Sequence, residues 1–324
     1  MDVLVSEVGP RDGLQSLGVT MPTAAKIAWI RALAAAGVKE IEVGSFVNPR
    51  LLPQMADTGE VVKAARDIAG LEVMALVPNM KGARLAVAAG APKINIPVSA
   101  SQAHNMANVR MTCEQGIEAV AEICRYRDSL PESARIGVEV GIASAFGCTR
   151  EGRIQEDWVM EMALRLVKAG ADTVGLSDSV GYANPAQVKR MFLRLRKEIG
   201  GHAGGAHLHN TRGQGLANVV AALDAGVTTF DSSLGGIGGC PYAPGATGNI
   251  VTEDLVFLLE SMGLDTGIDF NALLRARDVL QQALPDVELY GSSPAAGLTK
   301  GFAYANPSRG FDPEPAKAVN QCDL

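Results

Sequence analysis

The sequence predicts an α/β protein, a (β/α)8 barrel with a C-terminal extension, and three observations lead there. Eight short apolar runs alternate with helix-period runs. The phrase AxxAG followed by an apolar run recurs as AAAGVKEIEV, AAGAPKINI, KAGADTVGL and DAGVTTFD, one helix-to-strand unit reused. Polar residues follow many of the runs instead of gathering at one switch point, which argues against a doubly wound sheet, as does the absence of GxGxxG after the first run.

The expected strands are VLVSEV (3–8), EIEVGSF (40–46), LEVMALV (71–77), KINIPV (93–98), IGVEVGI (136–142), DTVGLSD (172–178), GAHLHN (205–210) and TTFDSSL (228–234). Each is a short apolar stretch bounded by Gly, Asp, Asn or Pro, as buried parallel strands are. Between them, residues 23–37, 156–170 and 184–200 carry helical periodicity. Gly37, Gly90, Gly170 and Gly226 stand where a helix C-terminus calls for a left-handed residue. After about residue 286 a Pro- and Gly-rich composition takes over. The expected division is therefore a barrel over 1–286 and a cap or tail over 287–324.

Composition narrows the function classes. The 324 residues are 47% hydrophobic and 20% charged, enough apolar content for a large core. A net charge of −6 without any basic run argues against a nucleic-acid partner. No apolar stretch reaches the roughly 18 residues of a membrane span, and the N-terminus runs straight into a strand without a secretory signal. Five scattered cysteines with no CxxC point to a reducing compartment. A cytoplasmic protein, with no membrane partner, is expected.

In a parallel barrel, functional groups collect at the C-terminal strand ends. There the sequence places Glu7, Arg11 and Asp12 after strand 1, Glu42 and Ser45 at strand 2, and Asp178 at strand 6. His207, His209 and Asn210 close strand 7, and a glycine-rich loop with Cys240 and Asn249 follows strand 8. His207 and His209 are two of only four histidines. Residues i and i+2 on a strand share a face, so both imidazoles aim into the barrel mouth as a metal pair. Asp12 is the natural third ligand, although Asp-Gly is also a common turn dipeptide, and the Asn249 amide oxygen is a candidate fourth. Such a site suits Mg²⁺ or Mn²⁺, with Zn²⁺ or Co²⁺ also compatible with two histidines. Free cysteines commonly serve as small buried hydrophobes, which fits Cys113 and Cys124. Cys240, in its glycine-rich loop, is the one placed to exchange a proton with a carbon acid.

These residues, in this order, resemble the 3-hydroxy-3-methylglutaryl-CoA lyases of the DRE-TIM metallolyase superfamily. The matching stretches are EVGPRDGLQ (7–15), IEVGSFVNPRLLPQMAD (41–57), PNMKG (78–82), HLHNTRGQGLANV (207–219) and GGIGGCPYAPGATGNIVTEDLV (235–256). The resemblance implies Asp12, His207, His209 and Asn249 as metal ligands and Arg11 as stabiliser of a thioester enolate. It implies Glu42 as support for the metal-site network, Cys240 as acid/base residue of a mobile loop, and Asp178 and Ser45 near the substrate. It further implies an acyl-CoA thioester substrate, cleaved to acetyl-CoA and a 3-oxo acid (acetoacetate for the parent compound), and a homo-oligomer, dimer or tetramer.

Departures fall in the acyl pocket. Familiar members of that family read CHDTYG where this chain has LHNTRG, so Asn210 and Arg212 replace Asp and Tyr. Gly141 and Gly175 stand where those members carry Tyr and Ser. The two glycines are expected to remove bulk, Arg212 to add a cation near the mouth, and the acyl group to be other or larger than 3-hydroxy-3-methylglutaryl. Two alternatives stay open: an aldolase or condensing enzyme of the same superfamily acting on a 2-oxo acid, and a catalytically inactive barrel used for binding.

Overall fold

The computed structural model describes residues 1–238 and 248–309. Eight parallel strands close into a barrel in sequence order: β1 (Leu4–Glu7), β2 (Glu40–Ser45), β3 (Glu72–Leu76), β4 (Lys93–Ser99), β5 (Gly137–Ala143), β6 (Thr173–Asp178), β7 (Ala203–Leu208) and β8 (Thr229–Ser232). β8 pairs with β1, so no strand edge is left open. Helices α1 (Thr23–Ala35), α2 (Thr58–Ala65), α3 (Met80–Ala89), α4 (Gln102–Val109), α5 (Cys113–Ser129), α6 (Glu156–Lys168), α7 (Pro185–Ile199) and α8 (Gly215–Asp224) lie between strands, and α9 (Thr252–Ser261) and α10 (Phe270–Ala283) follow β8. The (β/α)8 expectation holds. Strand 7 differs at its end, because regular pairing stops at Leu208 and leaves His209 and Asn210 in the connection beyond it.

Strand alternation sorts chemistry by face. On β5, Val138, Val140 and Ile142 are buried, whereas Glu139, Gly141 and Ala143 border an internal cavity. The apolar set packs outward against the helices, where Trp29, Phe192 and Phe230 are fully buried. The lumen is therefore the polar side of this barrel. It holds Lys93, which bridges Glu40 and Glu139 at 2.8 Å each.

All four expected helix-terminating glycines adopt positive φ. At Gly37 the demand is also steric, since a Cβ would lie 2.2 Å from the Gly267 carbonyl oxygen. Residues 287–309 pack back on the barrel, and residues 310–324 of the expected cap lie outside the described residues. The Tyr290 N–H donates to Gly235 O, and Tyr304 Oη accepts the first N–H of α10, from Phe270. Among the described residues, no helix is long and apolar enough to cross a membrane.

Candidate active site

The segment after β1 turns the sequence GPRDG into a single wide helical turn, Gly9–Gly13. The Val8 carbonyl accepts from the amides of Arg11, Asp12 and Gly13. Both glycines are there for lack of room: a Cβ on Gly9 would meet Glu7 Oε1 at 2.5 Å, and one on Gly13 would meet Ile237 at 2.6 Å. Glu7 ties the turn to the segment after β8 by accepting from Gly9 N and Leu234 N. The turn delivers two adjacent charged side chains, Arg11 and Asp12, into the barrel mouth.

Arg11 is buried, its Nε donating to Glu42 Oε2 at 2.5 Å and its Nη1 to Asp12 Oδ1 at 2.6 Å. Burial alone would lower its pKa, but the Glu42 and Asp12 charges outweigh that and raise it. Burial raises the Glu42 carboxyl, with Arg11 opposing. Burial also pushes Asp12 upward, yet Arg11 and the two imidazoles win and hold it at about 2. Asp12 is thus a carboxylate at any neutral pH.

His207 comes from β7 and His209 from the residue just past its end. Their Nε2 atoms lie 3.1 Å apart. That spacing suits two ligand atoms sharing one ion at roughly 2.0–2.2 Å. His207 Nδ1 sits 3.0 Å from Asp231 Oδ2 on β8, which assigns the proton to Nδ1 and frees Nε2. Burial tends to keep His207 neutral, but Asp231 outweighs it and raises the pKa. Burial, reinforced by His207, drops His209 to about 4. Asp12, His207 and His209 offer ligand atoms all within 4.8 Å of one another.

Asn249 joins this group through backbone pairing between distant segments. His209 and Asn249 form an antiparallel bridge, with Asn210 N donating to Gly248 O and Ile250 N to Leu208 O. Asn249 Nδ2 donates to Asp12 Oδ2 at 2.6 Å, while its Oδ1 is buried without a hydrogen-bond partner. A half-turn of the amide exchanges the two atoms and presents the oxygen beside Asp12. An orphaned amide oxygen, an ionised carboxylate and a pair of inward imidazoles form a donor set that fits a divalent cation.

The cluster opens on a cavity of about 450 Å³ lined by Arg11, Asp12, His207, His209 and Asp231. Glu42 and Asn249 are not on its lining and reach it through Arg11 and Asp12, and two other expected residues neither line the cavity nor hydrogen-bond to the cluster. Asp178 is fully buried, and its two oxygens accept the backbone N–H groups of Tyr182 and Ala183. It shapes the β6–α7 connection and is absent from the cavity lining; burial raises its pKa against those bonds. Ser45 is likewise buried off the cavity, its backbone N–H and carbonyl meeting the Thr58 hydroxyl. Cys240 lies outside the described residues.

The pocket departures divide. Gly141 tolerates a side chain: a Cβ there would stand at ordinary contact distance, 3.5 Å from Ser177 Oγ and 3.7 Å from Asn95 Oδ1. Gly175 does not, because a Cβ would come within 2.7 Å of the Gly205 carbonyl oxygen, so close strand approach dictates this glycine. Arg212 is drawn away from the mouth. It donates to the carbonyls of Val180 and Gly181 and stacks over Tyr182 at 4.6 Å. Asn210 serves the backbone, its Oδ1 accepting from Gly215 N. Sequence reasoning missed Asp231 and Gln15, whose Nε2 donates to Asp12 Oδ1 at 2.9 Å. An acid on strand 8 inside TTFDSSL was the available signal for the first. For the second, the three-residue spacing from Asp12 sufficed.

Comparison with known proteins follows the same lines. A profile of the HMGL-like family matches residues 2–280. The cytoplasmic 3-hydroxy-3-methylglutaryl-CoA lyase of Rattus norvegicus is 40% identical over 282 residues, 87% of this chain and 81% of that protein. The mitochondrial hydroxymethylglutaryl-CoA lyase of Mus musculus is 39% identical over 282 residues, 87% and 86% of the two chains. Among solved structures, an HMG-CoA lyase of A. baumannii in complex with coenzyme A and 3-methylmalate superposes with a TM-score of 0.85. It is 40% identical, and the match covers 91% of this chain and 95% of that one.

Proposed function

The chain belongs to the HMGL-like family, and on that premise we propose that it is a divalent-metal-dependent carbon–carbon lyase. It cleaves a 3-hydroxy-3-methylglutaryl-CoA-like 3-hydroxyacyl-CoA to acetyl-CoA and a 3-oxo acid. One observation carries this reading: Asp12, His207 and His209, from segments far apart in the chain, converge within 4.8 Å at the C-terminal strand ends of one barrel.

Asp12, His207, His209 and the Asn249 amide oxygen would hold the ion. When bound, a divalent cation supplies Lewis acidity that lowers the pKa of the substrate hydroxyl. We assign Mg²⁺ or Mn²⁺ on the oxygen-rich share of the donor set, with Zn²⁺ or Co²⁺ as alternatives.

The remaining steps belong to the protein. The hydroxyl gives its proton to the thiolate of Cys240, the C2–C3 bond breaks, and the electron pair passes into the thioester enolate while C3 becomes a ketone. Arg11, fixed on two sides by Glu42 and Asp12, keeps further guanidinium N–H groups for the enolate oxygen. Glu42 is its positioning residue. Cys240 returns a proton to C2. The buried thiols Cys113, Cys124 and Cys148 support a reducing, cytoplasmic setting. The packing of Tyr290 and Tyr304 supports residues 287–324 as a cap on a catalytic unit of 1–286. A homo-oligomer of two or four copies is the assembly to test by sedimentation.

Steady-state cleavage of 3-hydroxy-3-methylglutaryl-CoA, with metal-stripped and metal-restored protein and with the Cys240→Ala variant, tests the reading. Activity is expected to vanish on stripping, return with Mn²⁺ or Mg²⁺, and fall steeply in the variant. Full turnover by verified metal-free protein refutes metal dependence, and unchanged turnover by Cys240→Ala moves the assignment toward the 2-oxo-acid aldolase class.

A further inference from the structure

On its β4–β6 side the cavity at the metal ligands forms a chamber of mixed lining, with Pro97, Ala143 and Leu176 among its apolar groups. Asn95 on β4, Glu139 on β5 and Ser177 on β6 all line it, and Gly141 leaves an opening among them. The atoms nearest that opening are Ser177 Oγ and Asn95 Oδ1, at 3.5 and 3.7 Å from where a Cβ would stand. Ser177 is in register with His207 on the adjacent strand, so the chamber adjoins the metal cluster directly.

The chamber's chemistry is one-sided. Asn95 Nδ2 reaches Glu42 Oε1 at 3.3 Å, but Asn95 Oδ1 is buried with no partner. Glu139 is paired with Lys93 and Asp231 with His207, so both carboxylates already have a cationic or hydrogen-bonding neighbour. An alkyl group in this space would leave the Asn95 oxygen unsatisfied, which is costly inside a protein. A carboxylate would face Glu139 and Asp231. An ammonium would find both acids already engaged. A neutral hydroxyl satisfies Asn95 as a donor and can accept from Ser177 in return.

We propose, building on the lyase reading above, that the substrate carries a C3 substituent longer than methyl and ending in a hydroxyl, held between Asn95 Oδ1 and Ser177 Oγ. Asn95, Ser177 and Gly141 are then specificity-determining residues. Gly141 supplies the space and the other two the polarity.

An isosteric pair tests this: 3-hydroxy-3-(2-hydroxyethyl)glutaryl-CoA against 3-hydroxy-3-propylglutaryl-CoA, with the 3-methyl compound alongside. In the metal-loaded protein, kcat/KM for the hydroxyethyl thioester is expected to exceed that for the propyl thioester by about tenfold or more. The ratio should collapse toward one in Ser177→Ala. Gly141→Val should lower both long substrates relative to the methyl compound. A wild-type ratio of one or below overturns the inference, as does a preference that survives in both variants. Turnover of the methyl compound alone refutes the chamber assignment and leaves the lyase reading standing. If no thioester is cleaved, the lyase reading fails, and calorimetric binding of the same pair decides the chamber, with equal affinities overturning it.

Discussion

Asp231 Oδ2 stands 3.0 Å from His207 Nδ1, so a carboxylate on β8 orients a candidate metal ligand on β7. The bond fixes the imidazole tautomer and raises ligand basicity. Asp231→Ala should therefore weaken Mn²⁺ binding by about 10–100-fold, with Asp231→Asn falling between, measured by calorimetric titration. Unaltered affinity in the alanine variant would show that His207 is held by packing alone.

Arg11 is gripped at Nε and Nη1 by two different carboxylates, a geometry that a lysine ammonium cannot reproduce. Arg11→Lys should cut kcat by about 10²–10³ with a much smaller change in KM, the pattern of an interaction made chiefly in the transition state. A variant that changes KM alone would reassign Arg11 to ground-state binding.

Two glycines that look equivalent in sequence should behave differently. Gly175→Ser forces atoms against the Gly205 backbone and should destabilise by about 1–3 kcal/mol. Gly141→Ser places its Cβ at ordinary contact distance from Ser177 and Asn95 and should stay within about 1 kcal/mol of the parent. Urea unfolding midpoints compare them; equal losses would mean the β6–β7 approach relaxes freely.

Glu7 is fully buried, and burial raises its pKa from 4.5 to about 8 despite hydrogen bonds from Thr252, Leu234 and Gly9. Below pH 4.5 the group is protonated folded and unfolded alike. As pH rises toward 8, the unfolded chain ionises first, so folding loses up to about 1.4 kcal/mol per pH unit, levelling off above 8. Glu7→Gln, permanently neutral, should lack this loss. Its stability relative to the parent should climb between pH 5 and 8 in urea titrations. A flat difference across that range would mean that Glu7 folds as a carboxylate.

Metal should also register as stability. An ion held by Asp12, His207, His209 and Asn249 binds only the folded chain, so at a hundredfold excess over Kd it should add about 2.7 kcal/mol. Thermal unfolding with and without Mn²⁺ checks this, and His209→Ala should abolish the increment. An increment that persists in that variant would place the ion elsewhere.

Much of this was legible along the chain because the barrel is built from local rules. Apolar runs of strand length and AxxAG at helix ends each act over a few residues and recur where expected, whereas His209 lies just past the end of the strand on which the i, i+2 spacing places the pair. Asp178 stands off the cavity because a polar residue at a strand end can turn to the backbone as easily as to the lumen. Asp178 meets the N–H groups of Tyr182 and Ala183, a choice made by the path of the next connection.

The sequence by itself determined the fold class and the strand order, since periodicity and residue chemistry are carried by neighbours in the chain. Only the tertiary structure decided which groups meet. Asn249 reaches Asp12 because residues 248–250 pair with the end of β7, and Asp231 reaches His207 because β7 and β8 lie in register. Gly175 is required by the backbone of β7, whereas Gly141 would accommodate a Cβ at ordinary contact distance between Asn95 of β4 and Ser177 of β6. Such contacts depend on strand register and on the distance between backbones far apart in sequence, and neither quantity is encoded at any single position.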